Sequence, residues 1–459
     1  MGLPRPTLSA LAGLLLLGAG CGGPERPTVV LITLDTTRAD HLSTYGYGRP
    51  TDPFLAGLAA RSRTFETAVP AATWTLPSHA SMFTGLVPAE HGCWKGADPE
   101  DPETPAYPAL SPSLPLVTTR LAEVGYHLVG AVGGPFTAAK YGFARDFDRY
   151  LDPGEEWQLA GTELNAWLAR ELEARPRDRP LFLFVNYFDA HAPHDPPPRA
   201  SWPFPEGVGD LPPVYHDEGQ FSAEAPPSAE WLGNALAQYD RELLVQDEAL
   251  EALFALLEGH GLLDDALVIV TSDHGEAFGE NGQYGHGNLP FESVARVPLV
   301  VHRAPDGPVD RVEPPVSLTG IPATVLAALD LPALPGARGA DLLGDSFEAG
   351  DAYSEHRDPD SWVGSLRGEE HRYWRPLAPP DPPAPGETGL SEFLSEVRGE
   401  GAELALEEAL LTERQATAGL ALRARFQALF DSWRPPPGDV AAVELSEEER
   451  QRLNAIGYN

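Results

Sequence analysis

Three aspartates stand at or just beyond the ends of three apolar runs. Asp35 closes TVVLITL (Thr28–Leu34), Asp189 follows LFLFVNY (Leu181–Tyr187) and Asp273 follows ALVIVT (Ala266–Thr271). In FDAHAPHDPP, Asp189, His191 and His194 share one loop; in TSDHGEAFGENGQYGHG, His274 adjoins Asp273 and His286 stands later between glycines. A lone acid at a strand end ordinarily caps the next turn, and a lone histidine is ordinarily structural. Six acid or imidazole groups in two loops, joined by Asp35, call for more than a solvated polar rim. Like charges in one cleft repel strongly at low dielectric, and a divalent cation relieves them. Imidazole among carboxylates favours zinc or manganese; calcium, also admissible, prefers shells of oxygen alone. One or two ions fit this donor count. Hydroxyls come from TWTLPSHASMFTG, where Pro77 suits the first turn of a helix and Thr73 or Thr75 stands at its start. Threonine there is most often a cap, yet the same end gathers free N–H groups and suits an anionic ester beside a hydroxyl.

Elements must carry these groups to one place. Unbroken apolar runs are the mark of strands buried on both faces of a parallel sheet. Between them, Trp157–Leu172 reads as a helix, and Leu236, Tyr239, Leu243, Leu250, Leu253, Phe254 and Leu257 mark a long amphipathic one. The alternation predicts an α/β fold with a mostly parallel central sheet flanked by helices. Ligands of such sheets bind beyond the carboxyl ends of the strands, where the three aspartates stand. The proline-rich stretch Pro193–Pro213 directly follows a His-bearing motif and reads as an active-site loop, whereas Pro376–Pro385 is better suited to a boundary. Beyond about Asp351, Trp362–Leu366 and His371–Trp374 suggest antiparallel strands, followed by a helix near Glu403–Trp433. The expected division is a catalytic unit over residues 27–345 and a smaller C-terminal α+β region over residues 346–459. Several polar residues read as structural. Asp240 and Asp247 share a face of the long helix, Arg38 and Asp40 pair, Asn186 and Tyr187 pack, Glu276 and Glu280 form a solvated loop face, and Cys93 is a buried thiol.

At these residues the chain resembles the sulfatase family, within the alkaline phosphatase superfamily. VVLITLDTTRADHLSTYGY looks like the opening strand and metal loop, TLPSH the nucleophile motif, YFDAHAPHDPP a His-bearing loop, and TSDHGEAFGE with RVPLVV the second metal loop. GFARDFDRY, YDRELLVQDEALEALF and the closing LNAIGY are lesser echoes, and the resemblance runs in order from about Val29 to Leu343. It implies an alkaline phosphatase-like sandwich and a metal-dependent hydrolase or transferase of sulfate or phosphate esters. Asp35, Asp273 and His274 would bind metal together with the hydroxyl of Thr75, the nucleophile; Ser78 is a weaker alternative. The departures bear on substrate. Sulfatases carry Cys or Ser at the nucleophile position for conversion to formylglycine; here Thr75 stands there, and His79 replaces the Arg. Their sulfate-binding Lys is His286 here, and a GKWH-like segment reads GYHLVGAVGG. In Thr-nucleophile relatives such as phosphoethanolamine transferases and nucleotide phosphodiesterases, a His in a GHG context helps bind a second zinc. His286 with Asp189 and either His191 or His194, the other serving as acid, would complete such a site. The expectation is therefore phosphate mono- or diester chemistry through Thr75 with His191 as the catalytic histidine. A sulfuric ester hydrolase and an inactive binding protein with the same fold are the alternatives.

Composition agrees. The 459 residues suffice for a sizeable core. Acids outnumber bases 68 to 32, a net charge of −36, which disfavours nucleic acid and other polyanions as partners. The expected substrate is a small-molecule, glycan or lipid-headgroup ester. Gly 45 and Pro 48 exclude a coiled coil or simple bundle. At the N-terminus, Arg5 precedes the apolar run Leu8–Gly20, too short for a bilayer core that needs about 20 helical residues. Residues 1–20 read as an export signal. LLLLGAGCGG also resembles a bacterial lipoprotein signal with Cys21 as the lipidated residue, although Gly18 stands where Leu is preferred. The protein is expected to be exported: a periplasmic or cell-surface lipoprotein, otherwise secreted, touching membrane only through that lipid.

Overall fold

The computed structural model describes residues 26–97, 105–199, 202–203, 221–222, 225–344, 350–359, 361–377, 393–397, 403–406 and 413–455. The signal segment with Cys21, and most of the Pro193–Pro213 loop, lie outside them. Eight strands form the central sheet: β1 (Thr28–Leu34), β2 (Arg63–Phe65), β3 (His127–Val132), β4 (Arg149–Leu151), β5 (Leu181–Tyr187), β6 (Ala266–Thr271), β7 (Leu299–Arg303) and β8 (Asp310–Val312). Their spatial order is β8, β2, β7, β6, β1, β5, β3, β4. β1 is central and parallel to both neighbours, and only β7 runs antiparallel. The three apolar runs are strands over the expected residues.

Because β1 is covered on both faces, successive side chains enter two different apolar layers. Val29 and Leu31 pack on one side with Phe182, Phe184, Leu267 and Ile269, against α2 (Thr75–Thr84). Val30, Ile32 and Leu34 pack on the other with Leu183, Val185, Val268 and Val270. That second layer is closed by α1 (Pro53–Ala59), α3 (Gly161–Ala174) and α4 (Ala229–Gly259). α3 begins at Gly161, not at the expected Trp157, whose φ of 67° is incompatible with a helix.

A second, antiparallel sheet follows: β9 (Ala352–Arg357), β10 (Trp362–Arg367), β11 (His371–Pro376), β12 (Phe393–Val397) and β13 (Glu403–Leu406), in that order. The helix expected from Glu403 starts only at Glu413, as α5 (Glu413–Asp431). Glu403–Leu406 instead pairs with β12. Buried Glu292, between β6 and β7 in sequence, ties this sheet to the central one, 2.8 Å from Arg367 Nε and 2.6 Å from Arg372 Nη2. Burial alone would raise its carboxyl, but the two guanidinium groups prevail and hold it at about 2. Among the described residues, no helix is long and apolar enough to cross a membrane.

Candidate functional site

Register decides which strand-end residues meet. Thr33 lies opposite Thr271, so Asp35 and Asp273, each two residues further on, leave β1 and β6 at one level and on the α2 side. Leu34 lies opposite Tyr187, which puts Asp35 in step with Phe188 and Asp189 one residue out of phase. Asp189 accordingly points into the other layer. Both of its carboxylate oxygens accept from the Gly161 N–H at the start of α3, at 3.0 and 3.1 Å. Expected as a ligand, it is a helix cap instead, its carboxyl raised by burial to about 6.

Asp35, Asp273 and His274 converge. One donor atom from each lies within 4.8 Å of the others, and all three side chains are fully buried. The remaining contacts fix which atoms face inward. Asp35 Oδ2 accepts from Asn186 Nδ2 at 3.3 Å, and Asp273 Oδ1 accepts from the N–H groups of His274 at 3.0 Å and Thr36 at 3.4 Å. Thr36 supplies that N–H from a left-handed backbone, φ 54°, a conformation costing roughly 1–2 kcal/mol for a non-glycine residue. His274 Nδ1 is 3.0 Å from the Gly275 carbonyl, so its proton sits there and Nε2 turns a lone pair toward the aspartates. That nitrogen is 3.9 Å from Asp35 Oδ1 and 3.4 Å from Asp273 Oδ2.

Asp35 Oδ1 and Asp273 Oδ2 are buried with no hydrogen-bond partner among the described residues. Burial, then the Asp273 charge, push the Asp35 carboxyl well above the usual carboxylate range. Burial keeps His274 neutral, its pKa lowered to about 4. Two anionic oxygens without donors and a neutral imidazole lone pair fit a divalent cation, and leave an unrelieved repulsion without one.

Thr75 is the first residue of α2, with Oγ1 at 3.2 Å from His274 Nε2. It is not the N-cap of its helix: that position is Trp74, and Thr73 Oγ1 donates to the Asn288 carbonyl. One turn on, His79 braces it. His79 Nδ1 donates to the Thr75 carbonyl at 2.9 Å, and Nε2 accepts from Thr33 Oγ1 at 3.0 Å. Thr33 Oγ1 in turn accepts from Asn186 Nδ2, so Asn186 links α2 to Asp35. Ser78 is occupied, donating to the Asp273 carbonyl at 2.7 Å.

His286 stacks on His274 with ring centres 4.5 Å apart, and His191 meets His286 edge-on at 4.9 Å. His191 itself stacks on Phe188 at 4.1 Å, and its Nδ1 is 2.6 Å from the Ala192 carbonyl. Burial and the neighbouring His286 hold its pKa well below the usual imidazole value. His194 stands further back, against Tyr239 and Phe278, with Nδ1 2.7 Å from Glu242.

Glu276, expected to be solvated, is fully buried, with Oε2 3.0 Å from His286 Nδ1. The preceding Gly275 explains the turn inward: a Cβ there would lie 2.1 Å from the Ser293 carbonyl oxygen, so the chain runs directly against its neighbour. Glu280 pairs with Arg38, as does Asp40. Asp240 holds His41, Tyr47 and Arg49, and Asp247 accepts from the first N–H groups of α1. Cys93 is buried, its thiol pushed to about 12.

Comparison with known proteins gives this arrangement a family. Residues 27–331 match the family model described as Sulfatase. Human N-sulphoglucosamine sulphohydrolase is 27% identical over 370 residues, covering 76% of this chain and 69% of the relative. Arylsulfatase of Clostridium perfringens (strain 13 / Type A) is 24% identical over 60% of this chain and 68% of its own. The multifunctional alkaline phosphatase superfamily protein PehA of Trinickia caryophylli is 26% identical over 61% and 68%. Among solved structures, the phosphonate monoester hydrolase of Agrobacterium radiobacter superposes with TM-score 0.66 at 18% identity, covering 88% of this chain and 96% of that one. With strand-end aspartates, an adjoining histidine and a hydroxyl at a helix start brought to one buried point, and two thirds of its length matching one family model, the chain belongs to the sulfatase family and is an ester hydrolase.

Proposed function

We propose that this sulfatase-family hydrolase cleaves phosphate mono- or diesters with Thr75 as nucleophile. The observation that carries the reading is Thr75 Oγ1 at the N-terminus of α2, 3.2 Å from His274 Nε2 and beside the Asp35–Asp273 pair. A divalent cation, zinc or manganese, held by Asp35, Asp273 and His274 would lower the pKa of the Thr75 hydroxyl and draw charge from the ester oxygens. The free N–H end of α2 favours the negative charge of the substrate beside that oxygen. Thr75 Oγ1 gives its proton to His191 and attacks phosphorus in line, the bond to the leaving oxygen breaks as that oxygen takes the proton from His191, and the phosphoryl group is left esterified to Thr75. Water then attacks the phosphorus. His191, neutral again and adjacent to His286, accepts the proton of that water and passes it to Thr75 Oγ1 as the bond from that oxygen to phosphorus breaks and the phosphate leaves.

The absence of a lysine at position 286 further supports phosphate over sulfate, and His286 beside Glu276 and His191 supports a second cation. Sulfate esters are the second reading. The names of the relatives favour it, as does a solved structure in complex with D-glucosamine-2-N,6-O-disulfate, similar in fold with TM-score 0.67 at 14% identity over 89% of this chain and 99% of that one. A glycan or lipid-headgroup ester suits either reading. Export, a lipid on Cys21, and the division into residues 27–345 and 346–459 belong to the same proposal. The test is metal analysis of the purified protein together with turnover of nitrophenyl phosphate, bis-nitrophenyl phosphate and nitrophenyl sulfate. Thr75→Ala is expected to lower turnover by at least about 1,000-fold while the metal content stays within a factor of two. Turnover that survives in Thr75→Ala refutes the nucleophile; sulfate cleaved faster than both phosphates selects the second reading.

A further inference from the structure

In a chain whose acids outnumber its bases 68 to 32, an arginine without a carboxylate partner keeps its charge available to an anionic ligand. Arg357 is such a residue. It ends β9, and its guanidinium lies between two indoles, 3.6 Å from the ring centre of Trp94 and 3.9 Å from that of Trp362. Trp362 is its direct cross-strand neighbour on β10. Among the described residues, that guanidinium makes no hydrogen bond or ion pair. The acids nearest in sequence are already engaged. Glu355 is buried and accepts from the Tyr353 hydroxyl and, at 3.1 Å, from Trp362 Nε1. Asp358 is 3.1 Å from His356 Nε2 and accepts from the Ser361 N–H at 2.7 Å.

Stacking fixes the plane of the guanidinium and leaves its N–H edge for an oxyanion, the planar fork that matches carboxylate, sulfate or phosphate in bidentate fashion. The side chain is half-buried, so the edge is reachable. Its place follows from β9. The Glu355 N–H donates to the Ala71 carbonyl at 3.0 Å, and Glu355 bridges Ala72 in parallel. β9 therefore runs in the same direction as the segment leading to Thr75, and carries Arg357 toward the end at which α2 opens.

We propose that Arg357, clamped by Trp94 and Trp362, is a specificity-determining residue that binds a second anionic group, a carboxylate or a sulfate, on the organic part of the ester. This rests on the ester-hydrolase reading of the Thr75 site and names its substrate class: a compound anionic at both the reacting group and the portion released. The probes are phenyl and 4-carboxyphenyl esters of phosphate and of sulfate, and the corresponding phenyl and 4-carboxyphenyl phosphonates as uncleaved ligands. In wild type, the carboxylated ester is expected to have the higher kcat/KM. Arg357→Ala should remove about 10- to 100-fold of kcat/KM for the carboxylated ester and leave the plain phenyl ester within a factor of two, with Arg357→Lys between. An equal fall for both esters, or no fall, overturns the proposal. Calorimetric binding of the two phosphonates separates the two ideas. Carboxylate-dependent binding that Arg357→Ala abolishes, in a protein turning over no ester, refutes the ester chemistry alone. Turnover and binding indifferent to Arg357 refute this proposal alone.

Discussion

Removing one charge from the Asp35–Asp273 pair should stabilise the protein when metal is absent and destabilise it, relative to wild type, when metal is present. The donor atoms of the pair lie within 4.8 Å of each other and are fully buried. At an effective dielectric of about 20, two like charges at that separation repel by about 3–4 kcal/mol. Proton uptake by Asp35 relieves part of this, so Asp35→Asn is expected to raise the stability of metal-free protein by about 2–3 kcal/mol, or about 3–5 °C in Tm. Asparagine keeps an oxygen for Asn186 Nδ2 and turns an N–H toward Asp273 Oδ2, which has no hydrogen-bond partner among the described residues. With a cation at about 1,000 times its Kd, wild type gains about 4 kcal/mol that the variant forgoes, and the order reverses. The dependence on pH has a sign. A carboxyl whose folded pKa is raised stabilises fully below its unfolded value, near 3.9, and this contribution is lost as pH rises through the folded value. Metal-free wild type should therefore lose stability with rising pH over a range in which Asp35→Asn does not. Thermal melts in EDTA and in millimolar manganese or zinc, at several pH values, read all three effects. A variant that melts below wild type in EDTA, or that gains as much from metal, would falsify the reasoning.

Glu276→Ala removes the acceptor of His286 Nδ1, and steady-state kinetics should show a 10- to 100-fold lower kcat/KM, partly restored in Glu276→Gln; an unchanged value makes Glu276 a spectator. Glu292→Gln strands Arg367 and Arg372 inside the protein, and urea unfolding at neutral pH should register a loss of about 3–5 kcal/mol. Because the Glu292 carboxyl is held at about 2, that difference should be complete above pH 4.5 and shrink as pH falls toward 2; a constant difference would contradict the assignment.

Much of this architecture was legible because β1, β5 and β6 are apolar on both faces, and such runs admit few other readings. The same property hid their phase. When every residue of a strand is apolar, its pattern does not say which alternate set faces α2, and Asp189 lies one residue from the position that would have placed it beside Asp35. Only the register of Leu34 against Tyr187 settles that. Glu276 reads as solvated in the sequence because its burial depends on Gly275 pressing against Ser293, a contact between distant segments. His79 was visible as a departure from the family motif, but its bonds to Thr33 and Thr75 span two elements that no local pattern connects. In the C-terminal region, the acidic and alanine-rich composition around Glu403 suits a helix, and pairing with β12 overrode that propensity.

The two halves of the site are held in different ways, and this bears on how the family fold tolerates new chemistry. Asp35, Asp273 and Thr75 are fixed by sheet register and by the chain from Asn186 through Thr33 to His79. Any change of phase in β1 or β6 would move a charge into an apolar layer, so this half admits little variation. His191 and His286 instead ride on loops, where the Ala192 carbonyl and the Glu276 carboxylate, respectively, meet their Nδ1 atoms. A substitution there alters what the site can grip without disturbing what fixes Thr75. On the proposed reading, His286 in place of the lysine that the family resemblance implies is such a change. On the proposed phosphate chemistry, the acid that accompanies it must be buried as well, and Glu276 is buried with Oε2 3.0 Å from His286 Nδ1.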